Sequence, residues 1–439
     1  MWGKDKVLSF LHNVISKIPY EKKEVGVIIN SEELTRFANN IIHQNVAEEN
    51  LSLFIRVGKD KKKVVITTSD ISEERIKQIM NSLDELIENQ PETEELFLPE
   101  PEPIPEYGKE VFSPSPEERG SIVKRFIEKG LKYSVETFGA VSENISEIGV
   151  LNSLGVEAYG TFSYAHEKVM YIGEGSGYQE EIGKDLRSIN SENLSERALQ
   201  KCLDNKNPID LEPGIYTVIL EPLAVVEMLE QIAYFGFSAK AVQEKRSFFN
   251  IYAGQKIFNE KVTIYDDGLN PEGIITPIDF EGVPKKHVDL IKDGVAIGPV
   301  YDTTTASKEG KKSTGHALPP PSWGPLPLNL FFAPGDKSID EMVRDTEKGI
   351  LVTRFHYVNS FLDPVRVLAT GMTRDGTFLI ENGKITKPIK NLRFTQSFLE
   401  VLANIIDISK ETVLVPCLGF ARVPTIRVEK FNFTGKTEF

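Results

Sequence analysis

The stretch Glu221–Phe249, EPLAVVEMLEQIAYFGFSAKAVQEKRSFF, decides how the chain is read. It follows GIYTVIL (214–220), an apolar run that reads as a buried strand. Pro222 suits the first turn of a helix, where its missing N–H costs nothing. The apolar residues behind it keep helical spacing, and the segment ends in the basic, aromatic KRSFF. The stretch holds no histidine. The question it raises is whether this helix belongs to an enzyme that has lost its metal, to a partner of such an enzyme, or to neither.

Working outward, the chain beyond Lys261 is a succession of short strands and Gly/Pro turns, with two further helices expected at 338–349 and 396–407. Before the stretch, a helix is expected at 3–18 and a strand at 24–30. A hairpin follows over 51–57 and 62–69 about GKDK, then a helix over 71–89, and together these make a small α/β domain over 1–90. Residues 91–119 are rich in Pro and Glu and read as an exposed connector. A central α/β meander region over 120–210 carries a helix at 116–131, antiparallel strands turning at NSLG and GEGSG, and a helix at 191–205 that opens on a serine cap. Residues 211–439 form a larger β-rich C-terminal domain. The fold class is α+β.

Bulk properties narrow the function. The chain has 439 residues, 40% hydrophobic and 26% charged, a profile of globular chains of two or three domains. A net charge of −14 argues against a general nucleic-acid binder, which needs a basic face. Two cysteines, Cys202 and Cys417, make no disulfide framework. The N-terminal stretch is amphipathic rather than an apolar signal core, and no run of 18 apolar residues predicts a membrane span, so a cytoplasmic location is expected.

No two of the six histidines lie three to five residues apart, whereas a helical zinc pair needs i, i+4 spacing to turn both imidazoles onto one ion. GEGSGYQ (173–179) lacks the GK[ST] of a phosphate loop and reads as a hairpin turn. No G-x-S-x-G elbow occurs. Asp266 and Asp267, before a glycine in YDDGLNPEG, read as tight-turn chemistry, and Cys417 in LVPCLGF reads as a small buried hydrophobe. Three basic–aromatic clusters remain, TRFHYVN (353–359), GMTRDGTFLIENGK (371–384) and NLRFTQSF (391–398). They read either as a meander with solvated arginines or as a groove that holds an extended peptide by strand addition. In the second reading Arg354, His356, Arg374 and Arg393 are the candidate substrate contacts.

The order of several strings carries a resemblance. TRFANNIIHQN (35–45), NSLGVEAYGTFSYAHEKV (152–169), YDDGLNPEG, FEGVP (280–284), TASKEGKKSTGHA (305–317) and APGDKSIDEMVRDTEKGILVTRF (333–355) resemble the TldD/PmbA family in sequence and order, over roughly residues 25–435. The resemblance implies an α/β N-terminal and a β-rich C-terminal domain, and one of two roles. TldD-like members carry a zinc HExxxH helix with a distant cysteine ligand and act as peptidases. PmbA/TldE-like members look like non-catalytic partners, the two together forming a metallopeptidase for peptides and unfolded proteins. By position, Glu221–Phe249 sits where the metal helix lies in the first branch. The two histidines would fall within Gln231–Gly236, which here reads QIAYFG. The chain therefore resembles the PmbA/TldE-like branch, with no metal or catalytic residue of its own and zinc expected in a TldD-like partner. His316 is a departure, standing where the PmbA-like pattern often has Asn. Two alternatives stay open: a self-sufficient hydrolase with a metal set drawn from His166, His316, His356 and Cys417, or a non-proteolytic modulator that binds another complex.

Overall fold

The structure is a computed structural model that describes residues 1–107, 111–320 and 323–438. It is a mixed helix and strand protein in which strands dominate, an α+β fold. The first part runs α1 (Lys4–Ile15), β1 (Lys22–Ala38), β2 (Ile41–Lys59), β3 (Lys62–Thr68), α2 (Glu73–Glu88), α3 (Pro116–Lys132), β4 (Glu136–Asn152), β5 (Glu157–Ile172), β6 (Ser176–Gly183) and α4 (Ser191–Asp204). Its strands form one antiparallel sheet in the order β3-β2-β1-β4-β5-β6. The β1–β2 turn is built on Asn39 and Asn40 at φ 50° and 63°, a left-handed pair that asparagine accepts more readily than most residues. Because strand side chains alternate, Val25, Val27 and Ile29 share one face and bury there against α1 and α2. Phe37, Val141 and Val169 anchor a second core under α3 and α4. On the other face, Phe54, Ile148 and Val150 pack against Ile278 of the later chain.

This sheet takes β1–β3 from before the connector and β4–β6 from after it, so the expected segments 1–90 and 120–210 share their strands. The described part of the connector lacks regular structure yet is pinned. Leu96 is buried, Asn152 Nδ2 donates to the Pro99 carbonyl at 2.8 Å, and Glu94 pairs with both Lys63 and Lys308 at 2.7 Å. Part of the connector expectation, residues 108–110, lies outside the described residues.

The second part runs β7 (Gly214–Leu220), α5 (Pro222–Gly236), α6 (Ala239–Gln243), α7 (Phe249–Tyr252), β8 (Ile264–Asp266), β9 (Val288–Lys292), β10 (Val295–Ala296) and α8 (Thr303–Lys308). It continues through β11 (Asn329–Phe332), α9 (Ile339–Arg344), β12 (Lys348–Asp363), β13 (Leu368–Glu381), β14 (Lys384–Pro388), β15 (Leu392–Ser397), α10 (Phe398–Ala403), β16 (Ile405–Pro416) and β17 (Phe420–Lys436). The sheet order is β10-β9-β8-β11-β17-β15-β13-β12-β7, and β17 pairs with β7 as well, so β7, β12, β13, β15 and β17 close into a ring. Helix α5 packs against β12 and β17. Leu229, Ile232 and Ala233 of α5 join Val218, Val352, Phe355, Phe394 and Phe431 in the largest core.

Several expectations change. The helix of the quoted stretch ends at Gly236 rather than running to the basic end. A Cβ at Gly236 would stand 2.4 Å from the Phe248 ring, so the glycine lets the chain fold back and bring Phe237 and Phe248 to 6.0 Å. The helices expected over 338–349 and 396–407 keep six residues each, because the chain behind them is recruited into β12 and β16. Helix α4 is capped by Asn190, whose side chain accepts from the Asn193 N–H, and Ser191 is its first residue. Of the aspartate pair, Asp267 makes the turn, its carboxylate accepting from the Leu269 N–H, while Asp266 ends β8 and is fully buried.

Candidate functional site

Helix α5 is apolar almost all round, with one polar stripe. Glu227, Glu230, Gln231 and Tyr234 recur at i, i+3, i+4 and i+7 and are the positions left open to solvent between buried neighbours. Burial, then the neighbouring Glu230, pushes the Glu227 carboxyl up to about 7, against the pull of Arg354. Burial also raises Glu230. Cys417 lies on the far side, beyond the end of β16. Burial and then the Glu230 and Glu227 charges push its thiol well above the ordinary range.

The first sheet closes this cleft. His166 Nε2 lies 2.7 Å from Glu180 Oε1, and the Tyr178 hydroxyl donates to Glu180 Oε2 at 2.6 Å. Burial pushes Glu180 up, but His166 and Tyr178 outweigh it and hold the carboxyl below its usual value. The Arg354 guanidinium stands 4.5 Å over the Tyr178 ring and donates through Nε to Asp375 at 2.7 Å. Asp375 also accepts from the Ser176 hydroxyl at 2.7 Å. Thus β6 of one sheet meets β12 and β13 of the other. A cavity of about 370 Å³ opens elsewhere along the first sheet, where it faces the 276–285 loop and the β16–β17 corner, lined by Phe162, Tyr164, His166, Lys285, Cys417 and Phe420 among others.

The four residues singled out from the sequence share one sheet face. Arg354 of β12 stands opposite Arg374 of β13. His356, Met372 and Arg393 form a row across β12, β13 and β15. The intervening residues Phe355 and Phe394 point the other way, into the core, with ring centres 4.7 Å apart. Burial, then Arg374 and Arg354, holds the His356 imidazole below its usual pKa. The ligand set weighed from sequence does not assemble. His166 and Cys417 line one cavity, while His356 stays on the sheet face. His316 is fully buried, bonded through Nε2 to Asp266 at 2.8 Å and through Nδ1 to the Thr314 hydroxyl at 2.9 Å. Among the described residues, no three His, Cys, Asp or Glu side chains are arranged to hold a metal ion. The side chains that α5 leaves open, Glu227, Glu230, Gln231 and Tyr234, include no imidazole, and the nearby His166 is engaged with Glu180, so the donors around α5 do not fit zinc. Sequence reasoning missed Glu227, Glu230, Tyr178 and Glu180. The available signal was a pair of glutamates at i, i+3 inside an otherwise apolar helix.

The PmbA/TldA metallopeptidase C-terminal domain model matches residues 213–435, from the start of β7 to the end of β17. The chain belongs to the TldD/PmbA family. Among TldD/PmbA relatives, a TldD homologue described as a metalloprotease in Haemophilus influenzae is 27% identical over 241 residues, which cover 54% of this chain and 48% of that protein. The match thus spans about half of that relative's length. A metalloprotease of Methanocaldococcus jannaschii is 23% identical over 382 residues, 79% of this chain and 80% of that one. The crystal structure of TldE from Thermococcus kodakarensis superposes with a TM-score of 0.85 at 21% identity, covering 97% of this chain and 99% of that one, and so shares the fold. The family is metallopeptidase-related. Among the described residues no helix is long and apolar enough to cross a membrane.

Proposed function

We propose that this chain is the non-catalytic, PmbA/TldE-like subunit of a cytoplasmic heteromeric zinc peptidase. It pairs with a TldD-like chain that carries HExxxH and helps to hold extended peptides or unfolded segments for cleavage there. The observation that carries this reading is the open stripe of α5. Where the resemblance places the metal helix of the other branch, the side chains turned to the cleft are Glu227, Glu230, Gln231 and Tyr234. A pair of carboxyls, an amide and a phenol offer no imidazole pair to a zinc ion. The face bearing Arg354, His356, Arg374 and Arg393 supplies peptide-binding chemistry beside that cleft: charge-assisted donors for carbonyls and carboxylates on a sheet surface.

The test is to purify the chain alone, and together with an HExxxH-bearing relative from the same genome, and to measure zinc and cleavage of quenched peptides. Alone, the chain is expected to hold less than about a tenth of a zinc ion, as its donor set implies. Cleavage is expected to need both chains. Chelator-sensitive cleavage by this chain alone would overturn the reading in favour of a self-sufficient hydrolase.

A further inference from the structure

Arginines in this chain are mostly neutralised. Arg56, Arg119, Arg197, Arg366 and Arg427 each sit on a carboxylate, and so does Arg354, on Asp375. Arg374 and Arg393 differ, as do Arg36, Arg75, Arg125 and Arg422, which likewise have no carboxylate within 4.0 Å among the described residues. Among the described residues, neither the Arg374 nor the Arg393 guanidinium has a carboxylate within 4.0 Å or a hydrogen-bond acceptor. Both lie on the same outward face, since Arg393 pairs across the sheet with Met372, two residues before Arg374. Arg393 is exposed, and Arg374 borders an open cavity of about 510 Å³ that the β5–β6 turn and Lys390 close on the other sides. Burial, Arg374 and Arg354 favour the neutral form of His356 beside them, so the uncompensated charge of the strip rests mainly on the two arginines.

Their spacing suggests what they bind. Residues on neighbouring strands offset by two stand about 7–8 Å apart. Two side chains on the same face of an extended peptide, at i and i+2, are separated by about 6.4–6.8 Å. One acidic residue per arginine is therefore geometrically matched when the acids alternate with another residue. We propose that Arg374 and Arg393 select acidic residues at alternate positions of an extended peptide, an E-x-E or D-x-D pattern. The inference rests on the peptide-binding role argued above and adds the chemical class of the peptide. A nucleic acid is the other polyanion to consider. Two arginines on a chain of net charge −14 match two carboxylates but do not make the extended basic face that a phosphate backbone needs.

Fluorescence anisotropy with the full chain at low salt tests this. The probes are a labelled E-x-E peptide, its Q-x-Q counterpart and a labelled oligothymidylate. The acidic peptide is expected to bind roughly tenfold tighter than the amide version, the scale of one or two partly exposed charge-assisted contacts. The double variant Arg374→Gln/Arg393→Gln is expected to bring E-x-E binding to the level of Q-x-Q and so erase that preference, and exposed Arg393→Gln alone to reduce it. Equal binding of the two peptides, or a preference that survives the double variant, overturns the inference and leaves the peptide role standing. Oligothymidylate binding as tightly as E-x-E overturns it in favour of a general polyanion site. If neither peptide binds, the peptide role fails and the inference falls with it.

Discussion

Replacing Arg56 with methionine should destabilise the protein more at alkaline than at acidic pH. Arg56 lies on β2 and is 1% exposed. Its Nε donates to Glu24 at 2.7 Å and its Nη2 to Glu281 at 3.0 Å, so one guanidinium joins the first sheet to the later chain. Glu281 also accepts from the Thr303 N–H at 2.9 Å. Burial dominates both carboxyls and raises them, Glu24 to about 8, with Arg56 the principal force pulling them back down. A carboxyl whose folded pKa is raised contributes stability that is fully present below its unfolded value and lost as pH rises through the folded value. Without Arg56 each group must ionise alone in the interior or stay protonated. Staying protonated costs about 1.4 kcal/mol for each pH unit above the ordinary value near 4.5, so about 1.4 kcal/mol at pH 5.5 and about 5 kcal/mol at pH 8 per group. Both carboxyls bear part of this cost already in the wild type, so the substitution adds only the remainder. Urea denaturation of Arg56→Met should therefore show a loss of roughly 3–5 kcal/mol at pH 8, the range for a broken buried pair, shrinking to about 1–2 kcal/mol at pH 5.5. A loss below about 1 kcal/mol at pH 8, or one that does not change with pH, would refute the argument.

Glu227→Gln should stabilise the chain at pH 8 by about 1–3 kcal/mol and by less than half as much at pH 5.5, because the raised carboxyl has lost its contribution above about 7 while an amide loses nothing. Thermal melts at the two pH values check this, and an equal effect at both would contradict it. Gly177→Ala should cost roughly 1–3 kcal/mol in urea, since the new Cβ would stand 2.1 Å from the Ala198 carbonyl where β6 meets α4. Both thiols should resist Ellman's reagent at pH 8 in the native protein and react fully in guanidinium, because burial raises Cys202 and Cys417 alike. Rapid native labelling of Cys417 would show that its surroundings are more open than the cleft implies.

Local periodicity made most of the framework legible. Helix α2 follows a clean 3.6-residue pattern and opens on Ser72, whose side chain accepts from the Arg75 N–H. The ENGK hairpin turn has Asn382 and Gly383 at φ 51° and 74°, which its sequence announces. Short helices were less legible. In α9 and α10 the periodic pattern continues past the helix, and pairing with distant strands decides where the helix stops. The joining of β1 to β4 was hidden as well, because nothing local in either strand names a partner more than 100 residues away.

The same limit explains why the cleft was only half read. Its members are supplied pairwise by segments far apart in the chain: Ser176 with Asp375, Tyr178 with Arg354, and Lys201 with Glu221 and Thr353. Arginines on neighbouring strands are visible as a pattern, which is why Arg354, Arg374 and Arg393 stood out. Whether an arginine is neutralised is not visible, because the neutralising carboxylate arrives from elsewhere in the fold. Arg354 and Arg374 look alike in the sequence and stand side by side on β12 and β13, yet Asp375 turns toward Arg354. Asp375 adopts φ 53° and is followed by Gly376 at φ 123°, a left-handed kink that breaks the strand's alternation. That kink assigns the carboxylate to one arginine and leaves the other free to act on a ligand.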